Sequence, residues 1–294
     1  MAHPSVASEA TDRPILSPRH HVIRKLRRSS SALVGGSIIL LFLLAATVGP
    51  FLVQYDPLKP NLTQRLKAPG ALHWLGTDFL GRDILSRLLY GGRISLLTGV
   101  VVVGVALLVG VPIGVIAGYR GGRVDNLMMR AMDVLLAFPG ILLTIAVIAV
   151  LGPGLLNMMV AVGIYTVPSF ARVTRAATLR TKSLLFVDAA TALGSHSPRV
   201  IWRHILPNVV SPVIVLSSLR IATAILTASS LSFLGLGIQP PSPEWGAMLS
   251  DGRNYLRSAP HVATIPGIAI MFVVWGFNLL GDGLRDALDP RSKA

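Results

Sequence analysis

Residues 188–207, DAATALGSHSPRVIWRHILP, set one carboxylate, two small side chains and a cluster of cations between stretches that are almost wholly apolar. These residue types dock surfaces; they do not make or break bonds. Asp188 followed by Ala189 and Ala190 offers a single charge for pairing, beside side chains small enough for another protein backbone to approach closely. Arg199 and Arg203 share a face at i and i+4, while Val200, Ile201 and Ile205 supply apolar surface around the turn. The spacing predicts a helical hairpin. Ser183 caps a first helix running to about Leu193, Gly194 takes the left-handed conformation that stops it, and Ser197-Pro198 opens a second helix with serine as N-cap. Pro207 disfavours a helical Leu206 and marks a boundary before the next segment.

The rest of the chain holds little that could catalyse a reaction. None of the five lysines completes a GxxxxGK phosphate loop, so ATP is not bound that way. The seven histidines form no HExxH pair, and no GxSxG elbow or paired intramembrane carboxylate is present. Zero cysteines exclude disulfides and thiolate metal sites. No catalytic, cofactor-binding or metal-binding residue is nominated, and lone acids such as Asp133 are read as pairing or facing water. One charge does stand out. Arg220 lies about 20 Å along a helix from Pro207, at roughly 1.5 Å per residue. That is mid-bilayer, where an arginine costs about 2.5 to 3.5 kcal/mol unless it faces water or an acidic partner. It is a candidate for the wall of a path, where it would attract an anionic group.

The elements that must hold these residues belong in lipid. Half the residues are hydrophobic (52%) and only 14% are charged, against roughly 25% in a soluble domain. Charge-free windows at 29–55, 94–119, 134–171, 221–243 and 258–281 are long enough to span a bilayer, which takes about 20 residues each. The third is too long for one helix, and Gly152-Pro153-Gly154 divides it. The expectation is an all-α, polytopic transmembrane helical bundle of six spans, at 32–53, 94–118, 128–151, 155–171, 208–235 and 262–281. Gly110, Gly114 and Gly118 give the second span a face for close helix packing, and Pro112 should bend it. Basic residues are retained on the cytoplasmic side of short loops. Arg13, Arg19, Arg24, Lys25, Arg120, Arg123, Arg130, Arg172, Arg175, Arg291 and Lys293 therefore place both termini, and the 183–207 insert, in the cytoplasm. The divisions are a basic tail at 1–31, a first span at 32–53, an extracytoplasmic loop at 54–93, a five-span core at 94–281 and a tail at 282–294. The net charge of +14 follows from this topology, so no nucleic-acid partner is needed, although Ala190 and Gly194 also fit a helix-turn-helix.

The insert resembles the EAA loop of ABC importer permeases: Asp188-Ala189-Ala190, then Gly194, then Ile205-Leu206-Pro207. LGTDFLGRDILSRLLYGGRISL (75–96), MDVLLAFPGILL (132–143), LSFLGLGIQPPSPEWGAML (231–249) and NLLGDGLRDALDPR (278–291) resemble the dipeptide, oligopeptide and nickel class, in its second, C-type permease subunit. The resemblance runs from about residue 24 to 291 and implies the type I ABC importer permease fold in the bacterial cytoplasmic (inner) membrane. It implies these partners: a second homologous permease, two ATP-binding cassette subunits that hold ATP and Mg, and an extracytoplasmic substrate-binding protein. The cargo it implies is di- or oligopeptides, with nickel as the alternative within the class. Asp188, Ala189, Ala190 and Gly194 would contact the ATPase, and Ile205, Leu206 and Pro207 would anchor the loop to the fifth span. Asp188 is one methylene shorter than the family's usual glutamate. A secondary transporter would show midplane carboxylates or inverted repeats, and neither is visible.

Overall fold

The computed structural model describes residues 24–288, and every regular element among them is a helix. Arg13, Arg19, Arg291 and Lys293, which entered the topology argument, lie outside the described residues. Helix α1 (Ser30–Leu52) begins where the Ser29 hydroxyl accepts from the Ala32 amide at 3.3 Å, and its exposed Leu40, Leu41, Leu44 and Phe51 suit a lipid surface. Helix α2 (Ile84–Arg120) is 37 residues long, about 55 Å. It starts ten residues before the expected span at 94, because Asp83 caps it: the carboxylate accepts from the Ser86 amide at 2.8 Å. The loop expected at 54–93 thus ends in helix.

The expected third span, 128–151, is two helices. α3 (Gly122–Leu136) and α4 (Gly140–Leu151) meet at 90°, since Pro139 lacks an amide hydrogen and drives Phe138 out of the helical region. With only 12 residues, about 18 Å, α4 cannot cross a hydrocarbon core of about 30 Å by itself. α5 (Leu155–Lys182) follows the Gly152-Pro153-Gly154 turn, continues through Pro168, and outruns the expected 155–171 by three turns. Among the described residues five helices are long and apolar enough to cross a membrane, six if the bent pair counts as one span.

The hairpin comprises α6 (Leu185–Ala192) and α7 (Ser197–Val200), and a π-helical turn at Ile201–Ile205 joins α7 to α8 (Leu206–Phe233). Pro207 is therefore not a boundary. The wider π turn, in which the Leu206 amide reaches back to the Ile201 carbonyl, lets the helix pass a proline that cannot donate. The Asn208 side chain covers the His204 carbonyl at 2.7 Å. α9 (Trp245–Gly252) and α10 (His261–Leu288) complete the described residues, the latter extending past the expected limit of 281.

Glycines set the closest helix contacts. A β-carbon on Gly110 would meet the Val167 carbonyl at 2.7 Å, and one on Gly114 the Ala171 carbonyl at 2.4 Å, so this face of α2 lies directly on the α5 backbone. α1 closes on α10 in the same way, with Gly35 against the Leu280 amide and Gly283 against Ala32. The core between α2, α5 and α8 is filled by Val102, Met158, Val162, Ala224 and Leu231.

Candidate functional site

The hairpin stands on a small hydrophobic plug. Val187 from α6, Val200 from α7, Ile205 from the π turn and Val209 from α8 are all buried together, with Ala177 and Tyr119 packed against them. α6 is thereby fixed to both α5 and α8. Its C-terminus is a Schellman motif: the Ser195 amide donates to the Ala190 carbonyl at 3.1 Å and the Gly194 amide to Thr191 at 3.0 Å. Gly194 has φ +82, the left-handed conformation its position requires. Ser183 does not cap α6. Its hydroxyl donates to the Arg180 carbonyl at 3.0 Å and closes α5, so α6 starts at Leu185 with no side-chain cap. The second helix starts at Ser197 itself, with His196 at the cap position and Pro198 in the first turn.

The sequence-nominated residues divide between the plug and the surface. Ile205 is buried and Leu206 partly so, while Pro207 is exposed. Asp188 and Ala189 are exposed in the first turn and middle of α6, and Ala190 is half-buried. The Asp188 carboxylate has no partner among the described residues, and at the amino end of a helix the dipole favours its charge. Sequence reasoning missed the apolar part of this surface: Leu185 is 85% exposed, Leu193 88% and Trp202 74%. Large apolar groups in a polar insert were the available signal. Charge pairs brace the same end of the bundle. Arg175 holds Asp125 through two bonds at 2.5 Å, Arg172 holds Asp133 at 2.5 Å, and the Lys182 ammonium donates to the Tyr119 carbonyl at 2.7 Å.

Arg220 sits half-buried within the continuous α8, with no ion-pair or hydrogen-bond partner for its side chain among the described residues.

At the opposite end of α2 the segments before α2 and after α8 fold into a cap around buried charge. Asp78 turns back on its own loop, its carboxylate accepting from the amides of Leu80 and Arg82 at 2.8 and 2.9 Å and from Arg82 Nε at 2.6 Å. Arg87 Nε lies 3.4 Å from the same carboxylate. The turn needs glycine at Gly81, where φ is +74 and a β-carbon would lie inside the Asn61 carbonyl. Asp251 from α9 faces both guanidinium groups at 3.6 and 3.8 Å. Arg87 also donates to the Pro57 carbonyl at 3.1 Å, joining the first outer segment to α2. Burial pushes the Asp251 carboxyl above the usual carboxylate range, although the two arginines pull it down. Nearby, His73 Nδ1 pairs with Asp83 at 2.9 Å, and Glu244 accepts from Ser95 and from the Gly246 and Ala247 amides to cap α9. Sequence reasoning met these residues only as a stretch resembling a family. Their local signal was an aspartate and arginine at i and i+4 around a glycine.

Comparisons with known proteins match this architecture. The family model described as "Binding-protein-dependent transport system inner membrane component" matches residues 110–294, and that described as "N-terminal TM domain of oligopeptide transport permease C" matches 17–69. The dipeptide transport system permease protein DppC of Alkalihalophilus pseudofirmus is 47% identical over 95% of this chain and 92% of its own length. The glutathione transport system permease protein GsiD is 51% identical in Pectobacterium atrosepticum, over 83% of this chain and 81% of that protein. The Escherichia coli O157:H7 GsiD is 46% identical over 95% and 92%. A chain of the MetNI methionine ABC transporter in an inward-facing conformation shares the fold with a TM-score of 0.55 at 17% identity, covering 69% of this chain and 96% of that one.

Proposed function

Because this chain belongs to the family of binding-protein-dependent transport system inner membrane components, we propose that it is the C-type permease subunit of an ATP-driven importer of peptides. It is a multi-pass inner-membrane protein. A second, homologous permease completes the path, two separate ATP-binding cassette subunits bind ATP and Mg and hydrolyse the nucleotide, and a binding protein delivers cargo from outside. Termini and hairpin face the cytoplasm. The observation that carries this reading is the exposed α6 surface mounted on the buried Val187, Val200, Ile205 and Val209 plug. A push on α6 is passed directly to α5 and α8, because close-packed cores do not deform gradually. Asp188 supplies the charge for an ATPase cation, Ala189, Ala190 and Gly194 permit close approach, and Leu185, Leu193 and Trp202 supply apolar contact. Ile205, Leu206 and Pro207 tie the hairpin to α8.

The relatives named for dipeptide and glutathione transport support peptides over nickel as the cargo. Arg220 then serves as a cation on the path that meets a peptide carboxylate. Reconstitution in proteoliposomes with candidate ATPases, permease and binding protein tests the whole reading through ATP-dependent uptake of a peptide panel. Uptake of dipeptides or glutathione that requires both ATP and the binding protein is expected. A complex that hydrolyses ATP but moves no peptide removes the cargo, and uptake without an ATPase removes the importer. Replacement of Arg220 by Gln should depress uptake of anionic peptides, and unchanged transport of every cargo would exclude it from the path.

A further inference from the structure

The bent pair carries a surface that the coupling hairpin does not use. α3 and α4 meet at 90°, and α4 returns beside α5, its Ile148 buried with Met158 and Val162. α3 therefore lies across the bundle. Its ion pairs describe the same crossing: Asp125 and Asp133, about 12 Å apart along α3, meet Arg175 and Arg172, only about 4.5 Å apart along α5. An oblique helix at the hairpin end of the bundle holds its first turns at the membrane surface and lets Val134 to Phe138 slope toward the charge-free α4.

Both acids of α3 are taken by α5, and its own arginines are left over. Arg123 and Arg130 are exposed on one face at i and i+7, and Arg120 is exposed at the end of α2 just before them. None of the three has an acidic partner among the described residues. Beside them runs an apolar stripe: Leu127 is 73% exposed, Val134 61% and Phe138 54%, and the stripe continues into the exposed Ile141 and Leu142 of α4. A protein partner would have to bring acids for the arginines and an apolar groove for the stripe. A bilayer surface supplies both, because arginine side chains reach up to headgroup phosphates while their apolar neighbours sink into the acyl layer.

We propose that α3 is an interfacial lipid-binding helix, with Arg120, Arg123 and Arg130 holding the phosphates of anionic phospholipids and Leu127, Val134 and Phe138 entering the acyl layer. The site goes beyond the importer reading and depends on neither cargo nor ATPase. Its consequence is mechanical. Asp125 and Asp133 tie α3 to α5, whose Ala177 packs against the plug beneath the hairpin, so bound lipid anchors the helix on which the hairpin stands.

The test uses the full chain with a single thiol, Ala131→Cys, labelled with bimane on the exposed face of α3 and reconstituted into vesicles of phosphatidylcholine and phosphatidylglycerol. Quenching is read with acyl-brominated forms of each lipid in turn. Brominated phosphatidylglycerol should occupy the site about tenfold more readily than brominated phosphatidylcholine, since each cation at an anionic surface contributes up to about fivefold. The combined Arg120→Gln, Arg123→Gln, Arg130→Gln variant should lose that preference while acyl-chain quenching persists. The corresponding lysine variant should keep the preference, which separates charge from folding. Equal quenching by the two lipids in the otherwise wild-type chain overturns the proposal, as does quenching by neither. Loss of quenching once the second permease from the proteoliposome assay is bound overturns it in favour of a protein surface. Failure of the importer reading looks different: uptake is absent, while the lipid preference of the chain alone is unchanged.

Discussion

Asp78 and Asp251 face the same two guanidinium groups, with opposite consequences for stability. Asp78 is enclosed and accepts two backbone and one side-chain hydrogen bond, so its removal strands Arg82 and Arg87 in a buried site. Asp78→Ala should cost about 3–5 kcal/mol, seen as a large fall in the thermal unfolding midpoint of the purified protein. Asp251 stands farther from both arginines, and burial penalises its charge more than they favour it. Asp251→Asn should leave the midpoint close to wild type at neutral pH. The sign with pH follows from the raised carboxyl: its proton is held more tightly in the folded state, so its contribution is present below the ordinary carboxylate value of about 4 and is lost as pH rises through the folded value. The wild-type midpoint should therefore fall relative to that of the Asn variant as pH rises from 4, and a difference of the opposite sign would refute the burial argument. Little of this was legible in the sequence, where the Asp78–Arg82 spacing around Gly81 was the one local signal and Asp251 lies 164 residues beyond Arg87. Gly194 was legible, because a glycine between two helical patterns requires no tertiary context to earn a positive φ.

Helices were legible to the degree that hydrophobicity alone decides them. The 29–55 and 258–281 windows became α1 and most of α10, because a long apolar run has no other stable form in lipid. Where the apolar run is uniform, breaks are hidden within it: the 90° bend at Pro139 lies inside one unbroken window, and α2 begins well outside its window. The π turn before Pro207 could not be read at all, since it answers a clash that exists only once the helix continues. Glycine spacing carried more information. Gly110, Gly114 and Gly118 specify a close helix contact, and the structure identifies α5 as the partner. Gly114→Leu must push the Ala171 carbonyl away and should cost about 3 kcal/mol, at the upper end of overpacking, measured by thermal unfolding and by loss of assembled complex. Gly104→Leu on the same helix meets nothing within 4 Å and should be tolerated. Equal effects of the two would mean that α2 does not pack by this face. At the hairpin, replacing Ala190 by Trp and Gly194 by Val should obstruct the exposed face and strain the left-handed residue by roughly 1–2 kcal/mol. Uptake should fall at least tenfold on the coupling proposal, while the amount of protein in the membrane stays the same. Wild-type uptake by this variant would detach α6 from coupling.

For the whole molecule, sidedness decides the coupling proposal. The hairpin and the basic cap lie at opposite ends of α2, so one orientation places the hairpin beside cytoplasmic ATPases and the cap outside. The reverse orientation would disable coupling. The basic residues that argue for the first orientation, Arg120, Arg123, Arg130, Arg172, Arg175 and Arg180, cluster at the hairpin end, where Arg175 is tied to Asp125 and Arg172 to Asp133. The cap is also basic, yet only eight of the 27 Lys and Arg residues fall in it, so the excess of positive charge lies elsewhere. The absence of cysteine makes the decisive measurement simple, because one introduced thiol is the only target for a maleimide. Leu193→Cys and Arg257→Cys both replace exposed residues and should fold normally. In intact cells with a permeable outer boundary, a membrane-impermeant maleimide should label Arg257→Cys at once and Leu193→Cys only after the inner membrane is opened. The reverse pattern would invert the molecule and remove the coupling hairpin in a single result.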